Sequence, residues 1–333
     1  MRHDILLTED ISRRTNDATD EDLYDSHSKN MASGNTEKIK ESSYKMIDID
    51  AEIAYYGFEK IGDSEGLSKS RPKFIRRNPI VAYYAFRRVQ DEEGLEAVRQ
   101  VMVDRNLEEA QKHFLNCFDI EGLRKVSRKI VLDYYSKRIE EYDAKTEGPF
   151  AVGWGSRKIS VEEARKRMRT RFEELTRGLD FADSSVMDVG CGLADLYGFL
   201  SGKGLIFDYT GIDINPEMVE HAQRLRPGIN VVAGDFLEDD WGQFDYVVSS
   251  GIFCLKTPTY IRDMEEILRK QFELSRIATA ASFMDKTKVD YMEPHLNYVD
   301  PKEVEEFLKS CGASRVEIRR DYPLFEFTVV VWR

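Results

Sequence analysis

The sequence predicts an α/β protein, with a doubly wound, mostly parallel sheet in its C-terminal half and an all-helical region before it. Three observations lead there. From Ser184 onward, short apolar runs alternate with amphipathic stretches, the pattern of parallel strands joined by covering helices. Before about residue 145 nothing alternates with strand periodicity, while apolar residues recur at helical spacing. The chain closes on two strand-like runs, SRVEIRRDYPL and FEFTVVVWR, separated by a turn around Pro323, which reads as a hairpin and places an antiparallel strand in the sheet.

Taken in order, residues 1–43 are polar and read as a disordered tail. Residues 44–145 form the helical region, with candidate helices in IDIDAEIAYYGFEKIG, PIVAYYAFRRVQDEEGLEAVRQVMVDRN and LEEAQKHFLNCF. A long helix follows, in which Leu123, Val126, Ile130, Tyr134 and Ile139 share a face. No internal repeat is read in this region. The loop DAKTEGPFAVGWGSRKIS leads to a helix capped by Ser160, with Glu163 in the capping-box position. Residues 146–333 are assigned to the sheet-bearing domain.

A net charge of −12 argues against nucleic acid or an anionic membrane as partner, since both call for a basic surface. The densest basic stretch, RKISVEEARKRMRTR, reads as a solvated helix face. No apolar run approaches the roughly 20 residues of a membrane span. The opening MRHDILLTEDISRRTND carries acids in its short apolar patch and is not read as a signal peptide. Cys117, Cys191, Cys254 and Cys311 lie far apart and form no CxxC pair, so a cytoplasmic protein without disulfides or a bound metal is expected.

The chemistry concentrates at strand ends. SSVMDVGCGLADLYGFL delivers a strand into a glycine turn at Gly190 and Gly192. A dinucleotide fold wants a glycine or alanine where Asp195 stands, and Asp188 precedes the turn. Two carboxylates oppose a diphosphate and suit a cationic, phosphate-free ligand, as S-adenosylmethionine is. The second strand ends in Asp213 and Ile214, where an acid can take both ribose hydroxyls. The third ends in Asp235 and Phe236, an edge and a face for adenine, and the fourth in Ser249, beside the expected methyl group.

With Asp188-Val-Gly190-Cys-Gly192, Gly211-Ile-Asp213, Gly234-Asp235-Phe236 and the closing hairpin, residues 184–333 resemble the class I S-adenosylmethionine-dependent methyltransferases. The resemblance implies a seven-stranded Rossmann-like sheet of order 3-2-1-4-5-7-6 with the seventh strand antiparallel. It assigns Asp188, Gly190 and Gly192 to the methionine part, Asp213 to the ribose, and Asp235 with Phe236 to the adenine. It also implies S-adenosylhomocysteine as the product. A narrower resemblance, from about Tyr134 onward, is to a poorly characterised bacterial group found in biosynthetic settings.

For the remaining roles, Trp154 of GWGS is a candidate wall over the cofactor, and Arg171 a bidentate partner for its carboxylate. His295 is the candidate general base, with Tyr298 beside it. Tyr134, Phe253 and Tyr291 are candidate acceptor contacts. The expected activity is methyl transfer to a small metabolite or biosynthetic intermediate, chiefly by positioning. Two alternatives are a protein or glycan-linked acceptor recognised by the N-terminal helices, and a non-catalytic cofactor-binding subunit. The helical region is expected to serve as a lid or a homodimer interface.

Overall fold

The computed structural model describes residues 18–333, which divide into two compact units, the first ending at Lys125 and the second spanning Val126–Arg333. That boundary falls inside a helix, twenty residues before the expected one at 145/146.

The first unit is built from helices α1 (Ala18–Ser33), α2 (Thr36–Met46), α3 (Ala51–Ile61), α4 (Ser64–Arg77), α5 (Pro79–Val89), α6 (Glu92–Arg105) and α7 (Leu107–Asn116), and from the start of α8 (Ile120–Glu141). The expected disordered tail lies partly outside the described residues; within them, 18–43 form α1 and most of α2 and bury Tyr24, His27 and Ile39. Low overall hydrophobicity concealed a few well-spaced apolar anchors. The segment Ser64–Arg77, which carries Pro72, is a further helix that the periodicity did not reveal.

This unit is a repeat, contrary to the reading above. Every 28 residues the same roles return. Asp50, Asn78 and Asn106 cap one helix, and Asp63, Asp91 and Asp119 cap or open the next. Ala54, Ala82 and Ala110 are buried, as are Phe58, Phe86 and Phe114. Each phenyl ring lies against a glycine of the following helix. A Cβ at Gly66, Gly94 or Gly122 would come within 2.2, 2.8 or 2.6 Å of its ring. A ladder joins successive repeats: Asp91 accepts from Tyr55 and from Arg71, both at 2.7 Å. Asp119 likewise accepts from Tyr83 at 2.9 Å and from both ends of the Arg99 guanidinium at 2.9 Å. Stacked helix pairs of this kind bury a continuous core that no single pair could.

The turn between the two helices of each repeat is left-handed, at Gly34 (φ 68°), Gly62 (69°), Gln90 (57°) and Phe118 (52°). A side chain costs about 1–2 kcal/mol in that region. Phe118 is also 87% exposed, so its ring contributes little packing in return. Phe118→Gly is expected to raise the unfolding midpoint of this unit, a gain of about 1 kcal/mol that urea titration would resolve; an unchanged or lower midpoint would show the ring to be packed.

The second unit contains the remainder of α8, the short helix α9 (Gly148–Ala151), α10 (Val161–Thr176), and one sheet. Its strands are β1 (Ser185–Val189), β2 (Asp208–Asp213), β3 (Val231–Ala233), β4 (Phe244–Ser250), β5 (Ser275–Met284), β6 (Arg315–Arg319) and β7 (Glu326–Trp332). They order as 3-2-1-4-5-7-6, with β7 antiparallel to both its neighbours and all other pairs parallel, as the resemblance implied. Helices α11 (Asp195–Ser201), α12 (Pro216–Leu225), α13 (Tyr260–Leu274) and α14 (Pro301–Ser310) connect the strands.

Side chains alternate across the sheet. Val186, Tyr246, Val248, Ala280 and Val330 pack with Phe172 and Leu175 of α10 on one face. On the other, Met187, Val189, Ile212 and Val247 meet Ile267 of α13, and Phe283, Phe327 and Val329 meet Leu268 of α13 and Leu308 of α14. Ser160 caps α10 by accepting from the Glu163 amide at 3.1 Å, as expected. In the basic stretch that includes α10, Arg157 pairs with Glu147, Arg167 with Glu163 and Arg171 with Glu326.

Candidate active site

The order reversal between β1 and β4 opens a crevice at the strands' carboxyl ends, where this class of sheet binds ligands. The turn after β1 is held by the end of β2. Both Gly190 and Cys191 amides donate to the Ile212 carbonyl, at 2.8 and 3.0 Å. Asp213 accepts from the Gly192 amide on one oxygen and the Asn215 amide on the other, each at 2.9 Å. A carboxylate offers about four lone-pair positions, so two remain for a diol. Gly190 and Gly192 take left-handed φ of 70° and 52°, and a Cβ at Gly192 would stand 3.0 Å from Val152.

Asp188 is buried and accepts from the Tyr209 hydroxyl at 2.7 Å. Burial pushes its carboxyl up to about 7; Asp213 and Asp195 add to this and the Tyr209 hydrogen bond opposes it. Burial also raises Asp213, against the pull of its two amide donors. Asp195 pairs with Arg226 at 2.9 Å, so its charge is balanced within the fold. Of the two acids expected to oppose a diphosphate, Asp188 is therefore the one left without a cationic partner among the described residues. Ile214 follows Asp213 directly, and Asn215 caps α12.

The part of α8 after Val126 runs over these strand ends. Ser127 shares a hydrogen bond with Thr259 (2.7 Å), Arg128 pairs with Asp235 (2.7 Å), and Ser136 accepts from Asn215 (3.1 Å). Burial pushes the Tyr135 phenol up, with Cys254, Tyr134 and Asp213 adding to it, and its ring lies beside Gly153, where a Cβ would be 3.5 Å away. The Tyr134 ring stacks edge-on with Tyr135 and lies under Arg138. Arg138 donates to the carbonyls of Phe150 and Gly155 and so fixes the GWGS loop.

Trp154 does reach the crevice. Its ring covers Gly251, directly after β4, where a Cβ would be 2.1 Å away. Arg171 does not stand free for a cofactor carboxylate. Its guanidinium lies 4.1 Å from the Trp154 ring centroid and is clamped by Glu326, 155 residues away, through Nε to Oε2 (2.5 Å) and Nη2 to Oε1. Phe236 packs into the core with Met187, Val189 and Ile212, so its ring is not a cover for adenine. Phe253 stacks on Phe283 with centroids 4.8 Å apart and is likewise core, not an acceptor contact.

Ser249 is buried at the end of β4, and its hydroxyl has no partner among the described residues. Tyr291 is 68% exposed. His295 is also exposed, and its carbonyl rather than its ring ties the loop after β5 to Lys256. Tyr298 accepts weakly from the Glu293 amide at 3.4 Å. Asp300 caps α14. Among the described residues no cluster of His, Cys, Asp and Glu is arranged to hold a metal, and no helix is long and apolar enough to cross a membrane.

Residues 186–271 match the family model of a methyltransferase domain. A protein of Mycobacterium tuberculosis that carries a provisional methyltransferase name is 28% identical over 155 residues, covering 44% of this chain and 92% of that protein. Similar solved structures include the magnesium protoporphyrin IX methyltransferase of Synechocystis PCC 6803 with bound S-adenosylmethionine, at 18% identity and TM-score 0.47, covering 62% of this chain and 97% of that one. The CcbJ methyltransferase of Streptomyces caelestis is another, at 15% identity and TM-score 0.40, covering 48% and 88%. By its strand order, its glycine turn and the family match over residues 186–271, the second unit carries a class I S-adenosylmethionine-dependent methyltransferase domain.

Proposed function

We propose that the crevice at the carboxyl ends of β1, β2 and β3 holds S-adenosylmethionine, and that a small-molecule acceptor is methylated at the neighbouring ends of β4 and β5. The observation that carries this reading is the Asp213 carboxylate, oriented by two backbone amides with two lone-pair positions to spare. When bound, the cofactor supplies a methyl group on a sulfonium, open to in-line attack. The chain's part is to hold and exclude. Asp213 takes a diol, Asp188 supplies negative charge to a cation, and the glycine turn lets the chain's backbone approach the ligand closely. Trp154, on the loop that Arg138 anchors at Phe150 and Gly155, walls off the β4 side. Positioning of this kind supplies most of the rate in a displacement that creates no new charge on the protein. Among the described residues the His295 ring has no hydrogen-bond partner that would hold it as a base, and the proposal does not require it.

Two measurements test the reading. Incubated with S-adenosylmethionine and a panel of small hydroxy, amino and carboxylic acceptors, the protein should release S-adenosylhomocysteine with at least one of them. Turnover seen only with protein or glycan extracts would refute the small-molecule acceptor.

The second concerns protons. With its carboxyl raised to about 7, Asp188 is largely protonated in the free protein below that pH, whereas a bound cation favours the ionised form. Binding therefore releases a proton at pH 6 and none at pH 8. Affinity for S-adenosylmethionine should be up to roughly tenfold weaker at pH 6 than at pH 8. Calorimetry in two buffers of different ionisation enthalpy should find the released proton at pH 6; its absence would show that Asp188 is already charged.

A further inference from the structure

Arg171 and its partner Glu326 are both buried, at 8% and 6% exposure. Two of the three guanidinium nitrogens are committed to that carboxylate. The third, Nη1, has no hydrogen-bond partner among the described residues. Leaving a buried donor of a charged group unmet costs about 1–3 kcal/mol or more, so an orphan of this kind calls for an explanation. Cost alone does not settle its role, but its position does. Glu326 opens β7 opposite Met284, at the carboxyl end of β5. The Trp154 ring, which lies on Gly251 directly after β4, has the Arg171 guanidinium 4.1 Å from its centroid, so the pair stands beside the end of β4 too. The orphan donor therefore sits at the β4–β5 end of the crevice, beside the cofactor end.

Trp154 covers this spot, lying on both Gly251 and Arg171. It is carried between Gly153 (φ 89°) and Gly155 (φ 129°), a pair of residues that can absorb a large backbone rotation. The arrangement is a donor held ready beneath a hinged ring.

We propose that Arg171, clamped by Glu326 and covered by Trp154, is the acceptor-recognition group of this domain: once Trp154 lifts, Nη1–H donates to an oxygen of the methyl acceptor, a carboxylate or a hydroxyl. The Glu326 carboxylate neutralises the guanidinium, so the subsite selects for an oxygen hydrogen-bond acceptor and against an ammonium. This rests on the methyl-transfer reading above.

The test uses full-length protein saturated with S-adenosylhomocysteine, with benzoate, benzyl alcohol and benzylamine as probes and the fluorescence lost in Trp154→Phe as the signal. Benzoate or benzyl alcohol should give a saturable change and benzylamine none. The double variant R171Q/E326Q, which leaves no unpaired buried charge, should weaken the responding probe at least tenfold and leave S-adenosylhomocysteine affinity within about twofold; E326Q alone, with the clamp loosened, should fall between. No saturable response to either oxygen probe in the loaded protein overturns the proposal. So does an unchanged probe affinity in the double variant, or a tenfold loss of cofactor affinity there, which would assign Arg171 to the cofactor. Failure of the unmodified protein to bind S-adenosylhomocysteine at all would overturn the methyl-transfer reading instead.

Discussion

Asp213→Ala is expected to weaken S-adenosylhomocysteine binding by roughly 30- to 1,000-fold, the equivalent of about 2–4 kcal/mol. The carboxylate does two things at once. It holds the Gly192 and Asn215 amides, and so the shape of the turn, and it offers the remaining lone pairs to the ligand. Hydrogen bonds to a charged group contribute about 1.5–3 kcal/mol each. Asp213→Asn separates the roles: the amide keeps the volume but turns an NH2 toward one of the two backbone donors, so its loss should be intermediate. Calorimetry on both variants, with circular dichroism to confirm folding, reads the result. Alanine at this position with affinity intact would remove Asp213 from the site.

The second large effect lies in the repeat unit. Asp119→Ala strips the partner from the buried Arg99 guanidinium, the acceptor from the Tyr83 hydroxyl and the cap from the Gly122 amide. Removing one member of a buried ion pair costs about 3–5 kcal/mol, mostly through the charge left behind. Urea unfolding of Asp119→Ala should show that loss. The companion Arg99→Met, which leaves Asp119 with two neutral donors, should cost less. Equal costs would mean that the pair contributes through shape rather than charge.

What the sequence discloses here depends on how far apart the interacting residues lie. The glycine turn, Asp213 and the alternation of strands and helices were legible because each is a local rule: a strand needs its period, a tight turn its glycines. The cap at Ser160 was legible for the same reason. Arg171 was misread because its partner, Glu326, stands in the last strand, and no local pattern announces a pairing across 155 residues. Phe236 and Phe253 were misread because an aromatic residue after a strand packs as well into the core beneath the site as onto a ligand above it. Asp235 and Asp195 carry the charges the sequence gives them, but Arg128 and Arg226 balance those charges in the fold. The 28-residue repeat was present in plain letters. It was hidden because only the structural positions recur (Ala54, Phe58, Asp63 and Gly66 and their successors), while the exposed positions between them are free to differ.

The most direct measurement is a calorimetric titration of S-adenosylmethionine into the unmodified full-length protein at pH 8, where Asp188 is ionised. One molecule bound per chain with micromolar affinity, lost in Asp213→Ala, is the expected result. No heat of binding with the cofactor raised to millimolar concentration would contradict the assignment of this crevice.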